Sequence, residues 1–289
     1  MLEVNSIEDL KPDFKEFKKM MTLGAGSNVL ISDEGFDGLV IVNRLMGREV
    51  LEEGEKTVVL RVGAGENWDE VVARTVDNGW HGIEFLSKIP GTAGAAPVQN
   101  IGAYGAELSN VLVRVSVYDN AENRFKSIDG SDCGFGYRTS RFKTTERRRF
   151  FITSITLKLE KKNPSPPFYD SLAAYFKQKP PGQYTPATIR QAVTAIRAEK
   201  LPDPSVVANN GSFFTNPIVA ASKFDELRQK YPDIKGWPAG NGKVKVAAGW
   251  LVEKAGFKDI HDDTTGMATW RGSALVLVNE HARRTADLL

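Results

Sequence analysis

The sequence is short of the residues that build a metal centre or a disulfide frame. Cys133 is the single cysteine, and the three histidines, His81, His261 and His281, stand far apart with no ligand spacing. No metal site is expected. Excess charge of one sign is also scarce: 38 Lys and Arg against 36 Asp and Glu leave a net charge of +2, which argues for no particular polyelectrolyte. The one basic run, Arg147-Arg148-Arg149, has no aromatic stacking platform and reads as a solvated turn rather than a nucleic-acid patch. No apolar run approaches the ~20 residues of a membrane helix. The N-terminus, MLEVNSIEDLKPDF, mixes acids with bases instead of offering a signal sequence. The expectation is a cytoplasmic protein with no nucleic-acid and no membrane partner; no oligomeric state is implied.

What is present is an ordinary globular composition, 41% hydrophobic and 26% charged over 289 residues, long enough for two domains. Its most unusual stretch is IPGTAGAAPVQNIGAYG, Ile89 to Gly105, with Gly91, Gly94, Gly102 and Gly105 among small residues. Bare backbone there admits close approach, and successive exposed N–H groups suit a pyrophosphate. The alternative is a plain irregular loop over a core. A second such loop lies upstream, Gly24-Ala25-Gly26-Ser27-Asn28. It is not a dinucleotide fingerprint of the G-x-G-x-x-G type, because Val29 holds the third glycine's place and Arg44 stands where a ribose-binding acid would be. It reads either as a strand–turn–strand lending amides and a hydroxyl to a phosphate, or as a hairpin turn.

Along the chain, Ser6 begins a predicted helix to about Lys19, and Val29-Leu30-Ile31 continues a strand begun by Met20. Strands are expected at Gly38–Val42 and Thr57–Val62 around a charged turn, Glu52 to Lys56. Trp68, Val71, Val72 and Val76 follow helical spacing up to Gly79, with Trp68 as core packing. Val111–Asp119, Arg124–Ile128 and Phe150–Leu159 alternate as paired strands. The proline-rich Lys161–Pro167 breaks the composition and sets the expected domain boundary. Beyond it come helices after Phe168, from Pro186 to Ala198, from Ser222 to Lys230 and from Ala247 to Ala255, then a last strand, Ala274–Val278.

Arg138, between aromatic neighbours and close to glycines, either presents its fork to a carboxylate or makes a structural ion pair. Ser212, in Gly211-Ser212-Phe213-Phe214, is either a shielded proton donor or a serine in a turn. It is a poor nucleophile, lacking G-x-S-x-G and an evident histidine partner.

Seven blocks in order, LGAGSNVL, VGAGENW, IPGTAGAAPVQNIGAYGAEL, FGYRTSRFK, KLPDP, GSFFTNP and AAGWLVEKAGFK, resemble the UDP-N-acetylenolpyruvoylglucosamine reductase (MurB) family over nearly the whole chain. The segment around Tyr169 resembles its type I branch. The resemblance implies an α+β protein with a two-subdomain FAD-binding region of the PCMH/VAO type, residues 1–161, and a smaller α+β substrate-binding domain, residues 162–289. It implies NADPH-dependent reduction of a UDP-sugar enolpyruvate through FAD in peptidoglycan precursor synthesis. Arg138 would hold the carboxylate and Ser212 would protonate the carbanion. Tyr169, Lys200 and Asn216 would contact the diphosphate, and Tyr137 would pack beside the site. Gly24, Ala25, Gly26, Ser27 and Asn28 would hold FAD, with Pro90, Gly91, Thr92, Gly94, Asn100, Gly102, Ala103, Tyr104 and Gly105.

The family pattern also carries an N-terminal segment ahead of Met1 and a catalytic glutamate beyond the part matching Ala274 to Leu289. Glu280 lies too early to be that glutamate. The expectation is a sequence clipped at both ends, whose turnover in this extent would be impaired. Another flavin oxidoreductase of the same cofactor fold, or a non-catalytic FAD-binding remnant, are the competing readings.

Overall fold

The computed structural model describes residues 1–10, 14, 16–281 and 284–287. The chain divides into two compact units, Met1–Ser27 with Gly35–Arg197, and Asn28–Glu34 with Ala198–Leu289.

In the first unit β1 (Leu2–Val4), β2 (Met20–Leu23) and β3 (Leu39–Asn43) form a parallel sheet in the order β1-β3-β2. Strands β4 (Arg48–Glu53) and β5 (Thr57–Gly63) begin the main sheet, and helix α1 (Trp68–Asp77) follows. After the small hairpin β6 (Gly102–Ala103) and β7 (Ala106–Glu107) come β8 (Leu112–Asp119), β9 (Arg124–Asp129) and β10 (Phe150–Glu160). They complete a five-stranded antiparallel sheet ordered β4-β5-β10-β8-β9.

Period-two alternation sends Val58, Leu60 and Val62 of β5 to one face, where they share a core with Val115 and Val117 of β8 and Val71, Val72 and Val76 of α1. Asn67 starts α1 by accepting the Glu70 amide on its side chain at 3.1 Å. Trp68 is 1% exposed, and its indole N–H donates to Leu86 O at 3.0 Å, so it is core packing as expected.

Helices α2 (Asp170–Gln178) and α3 (Pro186–Lys200) join Leu172, Phe176, Ile189 and Val193 into a further cluster, against which Phe85 and Tyr104 pack. Arg190 grips Asp69 bidentately at 2.6 and 3.0 Å. These contacts bind α2 and most of α3 to the first unit. The compact division therefore falls after Arg197, whereas the change in composition lies at residues 161–167.

The second unit carries β11 (Ala208–Ser212), β12 (Ile218–Ala220), α4 (Ala221–Lys230), β13 (Gly236–Pro238), β14 (Lys243–Val246), α5 (Ala248–Lys254), β15 (Met267–Trp270) and β16 (Ser273–Asn279). They make two antiparallel sheets, β11-β16-β15 and β12-β14-β13. Ala274, Val276 and Val278 alternate inward along β16. The class is α+β, as the sequence implied. Among the described residues no helix is long and apolar enough to cross a membrane.

Four local expectations are corrected. Of the helix from Ser6 to Lys19, the structure has a 3-10 turn at Ile7–Asp9, and residues 11–13 and 15 lie outside the described residues. Val29-Leu30-Ile31 is exposed and is not a strand. Its segment meets the turn Thr285–Asp287 instead of a sheet neighbour: Thr285 Oγ1 donates to Ile31 O, and the Thr285 and Ala286 amides donate to Asp33. Glu52 and Glu53 belong to β4 rather than a turn, because a fully exposed edge strand accepts charged side chains on both faces. Of the run Arg147-Arg148-Arg149, all three lie in a turn and the first two are exposed as expected, but Arg149 is half-buried and paired with Asp119, Glu122 and Glu146.

Candidate active site

Two bare loops of the first unit meet. A Cβ on Gly24 would lie 2.4 Å from Thr92 Oγ1, and one on Gly91 would lie 3.3 Å from Ser27 Oγ. Gly91 sits at φ +120°, a conformation L-residues rarely adopt, which lets its carbonyl take the Trp68 amide at 3.1 Å. The Ala93 and Gly94 amides are spent inward, on Glu66 O at 2.9 Å and Ala64 O at 2.8 Å. By contrast the amides of Ala25, Gly26, Ser27, Gly91 and Thr92 donate to nothing among the described residues. Unspent N–H donors with the Ser27 and Thr92 hydroxyls close by fit the pyrophosphate of a dinucleotide cofactor. Asn28 belongs to the segment assigned to the second unit.

The NIGAYG motif folds as a hairpin in which Gly102 pairs with Glu107 and Ala103 with Ala106. Its turn residues, Tyr104 at φ +51° and Gly105 at φ +84°, have the two left-handed conformations a tight two-residue hairpin requires. Asn100 is 1% exposed and also left-handed, φ +45°. Its Nδ2 donates to Glu107 Oε2 at 2.8 Å and to Gly136 O at 3.3 Å, and its Oδ1 accepts the Ser109 amide at 3.0 Å.

Arg138 stands on this hairpin. Its Nη2 donates to Gly102 O at 2.6 Å, its Nη1 reaches Asn100 O at 3.5 Å, and its guanidinium lies 5.6 Å from the centre of the Tyr137 ring. Gly136 and Thr139 exchange 3.2 Å backbone bonds around it, with Arg138 itself at φ +54°. Among the described residues it has no carboxylate partner. A half-buried cation resting on neutral carbonyls keeps its charge for an incoming anion.

Beside it, the rings of Tyr104 and Tyr169 meet edge to face at 6.2 Å. Burial raises the pKa of both phenols, helped at Tyr169 by Asp170 and Tyr137, so both remain neutral donors at neutral pH. Arg197 lies against Tyr104, and its pKa is lowered by burial.

In the second unit Gly211, at φ +71°, and a register shift between Asn209 and Ser212 break the β11–β16 ladder, leaving Ser212 exposed. Such irregularities re-aim a side chain. Phe213 then returns its amide to Leu275 O at 2.7 Å. Asn216 Oδ1 accepts the Ala248 amide at 2.9 Å, at the start of α5. Lys200 is exposed, and its backbone is where a Cβ on Gly272 would collide, 2.4 Å from Lys200 O. The structure thus brings together Gly24 to Ser27 with Gly91 and Thr92, Arg138 with Gly102 and Tyr137, and Tyr104 with Tyr169. Gly94, Ala103 and Pro90 lie in the same loops. Glu107 faces Gly102 across the hairpin and accepts from Asn100, a contact whose one sequence signal is its place directly after NIGAYG-Ala.

Glycine loops with unspent amides, and an arginine without a carboxylate partner among the described residues, fit a flavin-nucleotide-binding oxidoreductase, and the FAD binding domain family matches residues 12–126. The family of the UDP-N-acetylenolpyruvoylglucosamine reductase C-terminal domain matches residues 203–289. A UDP-N-acetylenolpyruvoylglucosamine reductase of Alcanivorax borkumensis is 42% identical over 270 residues, 93% of this chain and 77% of that protein. The Vibrio parahaemolyticus protein of that name is 43% identical over 281 residues, 96% of this chain and 78% of its own. In fold, the crystal structure of MurB from Thermus caldophilus superposes with a TM-score of 0.68 at 21% identity, covering 99% of this chain and 84% of that one. The chain belongs to the UDP-N-acetylenolpyruvoylglucosamine reductase family.

Proposed function

We propose that this chain reduces the enolpyruvyl double bond of UDP-N-acetylglucosamine enolpyruvate to give UDP-N-acetylmuramate, with NADPH as reductant, in the cytoplasm. The observation that carries the reading is the Arg138 guanidinium, set on the Gly102 and Asn100 carbonyls with no carboxylate partner among the described residues. FAD, held by the glycine-rich loops, would supply the hydride chemistry between NADPH and the β-carbon of the enolpyruvyl group. Hydride addition at that carbon moves an electron pair to the α-carbon and into the carboxylate. Arg138 binds the carboxylate and offsets the charge that grows on it, an effect largest where the donor is already oriented. Ser212 gives its hydroxyl proton to the α-carbon and is reprotonated from solvent. Tyr169, Lys200 and Asn216 hold the diphosphate, with Lys200 shared with NADPH, while Tyr137 flanks Arg138. The loops from Gly24 to Asn28 and from Pro90 to Gly105 hold FAD, and residues 162–289 supply most of the substrate contacts.

The test is NADPH oxidation followed with and without the UDP-sugar enolpyruvate. Substrate is expected to accelerate reoxidation of reduced flavin; no acceleration would overturn the reading. Ser212→Ala should leave flavin reduction by NADPH intact and slow reoxidation, and equal loss of both half-reactions would remove Ser212 from the assigned role.

A further inference from the structure

We propose that Glu107 is a positioning residue for this reduction, setting the Arg138 guanidinium through Asn100 and the β6–β7 hairpin; the inference rests on the role given to Arg138. Asn100 ties together both supports of that arginine. Its own carbonyl and that of Gly102 receive the two terminal guanidinium nitrogens, and its side-chain amide holds Gly136 O at the base of the Arg138 turn. Asn100 adopts a backbone conformation uncommon for a non-glycine residue, which persists when its surroundings over-determine it.

The charged group holding Asn100 is Glu107, whose Oε2 accepts from Asn100 Nδ2 at 2.8 Å and from Ser109 Oγ at 3.5 Å. Glu107 has no ion-pair partner among the described residues, so its carboxylate serves as a hydrogen-bond anchor rather than a counter-charge. Its backbone is fixed independently: its amide donates to Asn110 Oδ1 at 2.7 Å, and it pairs with Gly102 across the hairpin. A Cβ on Gly102 would lie 3.0 Å from Glu107 Cγ and 3.1 Å from Arg138 Nη1. The glutamate stem and the guanidinium therefore press on the same residue.

The experiment measures both half-reactions of the FAD-loaded protein for Glu107→Ala, Glu107→Gln, Arg138→Ala and the double variant Glu107→Ala/Arg138→Ala. Glu107→Ala should slow flavin reoxidation by substrate about tenfold with flavin reduction by NADPH unchanged, the size of one misplaced transition-state contact. Glu107→Gln, which keeps an acceptor oxygen for Asn100, should recover most of that rate. The double variant should be no slower than Arg138→Ala, because a positioning group has nothing left to position. If the two losses multiply, or if Glu107→Ala matches the parent while Arg138→Ala is slow, the positioning role falls and the role of Arg138 stands. If Arg138→Ala itself reoxidises like the parent, the underlying reading fails. Should Glu107→Ala not fold, Asn100→Ser breaks the same link with Glu107 in place, and a parent-like rate there would overturn the proposal.

Discussion

Arg138 and Arg149 sit on the same stretch between β9 and β10, yet their surroundings are opposite. Arg149 donates to Asp119 at 2.8 Å and to Glu122 and Glu146 at 2.9 and 3.0 Å. Lys126 completes the cluster on Asp119, which is wholly buried. Among the described residues the Arg138 guanidinium donates to carbonyl oxygens and pairs with no carboxylate. A cation whose charge is already matched locks a corner of the sheet, whereas one left with neutral acceptors retains its field for a ligand. The contrast teaches that the counter-charge, not the residue type, separates an arginine locked into the fold from one left open to an anion.

The sharpest way to break this comparison is to remove each arginine's function in turn. Arg138→Ala is expected to slow substrate-driven flavin reoxidation by roughly 10²–10³, the usual loss for one oriented charge-stabilising donor. Its urea midpoint should stay near that of the parent; a large drop would make Arg138 structural too. Asp119→Asn should do the reverse. It strips the buried acceptor from Arg149 and Lys126, costing about 2–3 kcal/mol in urea melts because both cations can still reach water. Rates per folded molecule should hold, and a selective loss of reoxidation would erase the distinction.

Acidification sharpens the same point. Hydrogen bonds from Arg149, then Lys126 and the Ala121 and Glu122 amides, hold the Asp119 carboxyl well below the usual range despite its burial. A depressed folded-state pKa stabilises the fold above the unfolded carboxylate value, about 4, and that stability is lost as pH falls through the folded value. The parent should lose stability below about pH 4 more steeply than Asp119→Asn; parallel profiles would count against the cluster. The smallest expected effect concerns Cys133, a buried residue of the same stretch between β9 and β10, where burial pushes its thiol up to about 11. It should react with a thiol reagent at pH 8 only on unfolding, and fast native labelling would show that the stretch opens.

The elements legible in the sequence are those whose periodicity coincides with burial on one face. Val58, Leu60 and Val62 alternate, and Trp68, Val71, Val72 and Val76 repeat helically, so β5 and α1 fall where the pattern places them. Val29-Leu30-Ile31 looks equally strand-like, but its backbone is met by a turn some 250 residues away, a partner outside any local window. The Pro-rich stretch marks a change in composition, while the compact division falls after Arg197; the Arg190–Asp69 pair, which ties α3 to the first unit, joins residues 121 apart in the chain.

The sequence by itself determined the family, through ordered motifs whose bare glycines and paired polar residues are readable one block at a time, and with it the redox chemistry. Only the tertiary structure decided which arginine meets a counter-charge, which loop amides stay unspent, and that Glu107 shares with Gly102 the hairpin on which Arg138 rests. Electrostatic pairing and hydrogen-bond satisfaction depend on distance in space, and residues far apart in the chain set those distances.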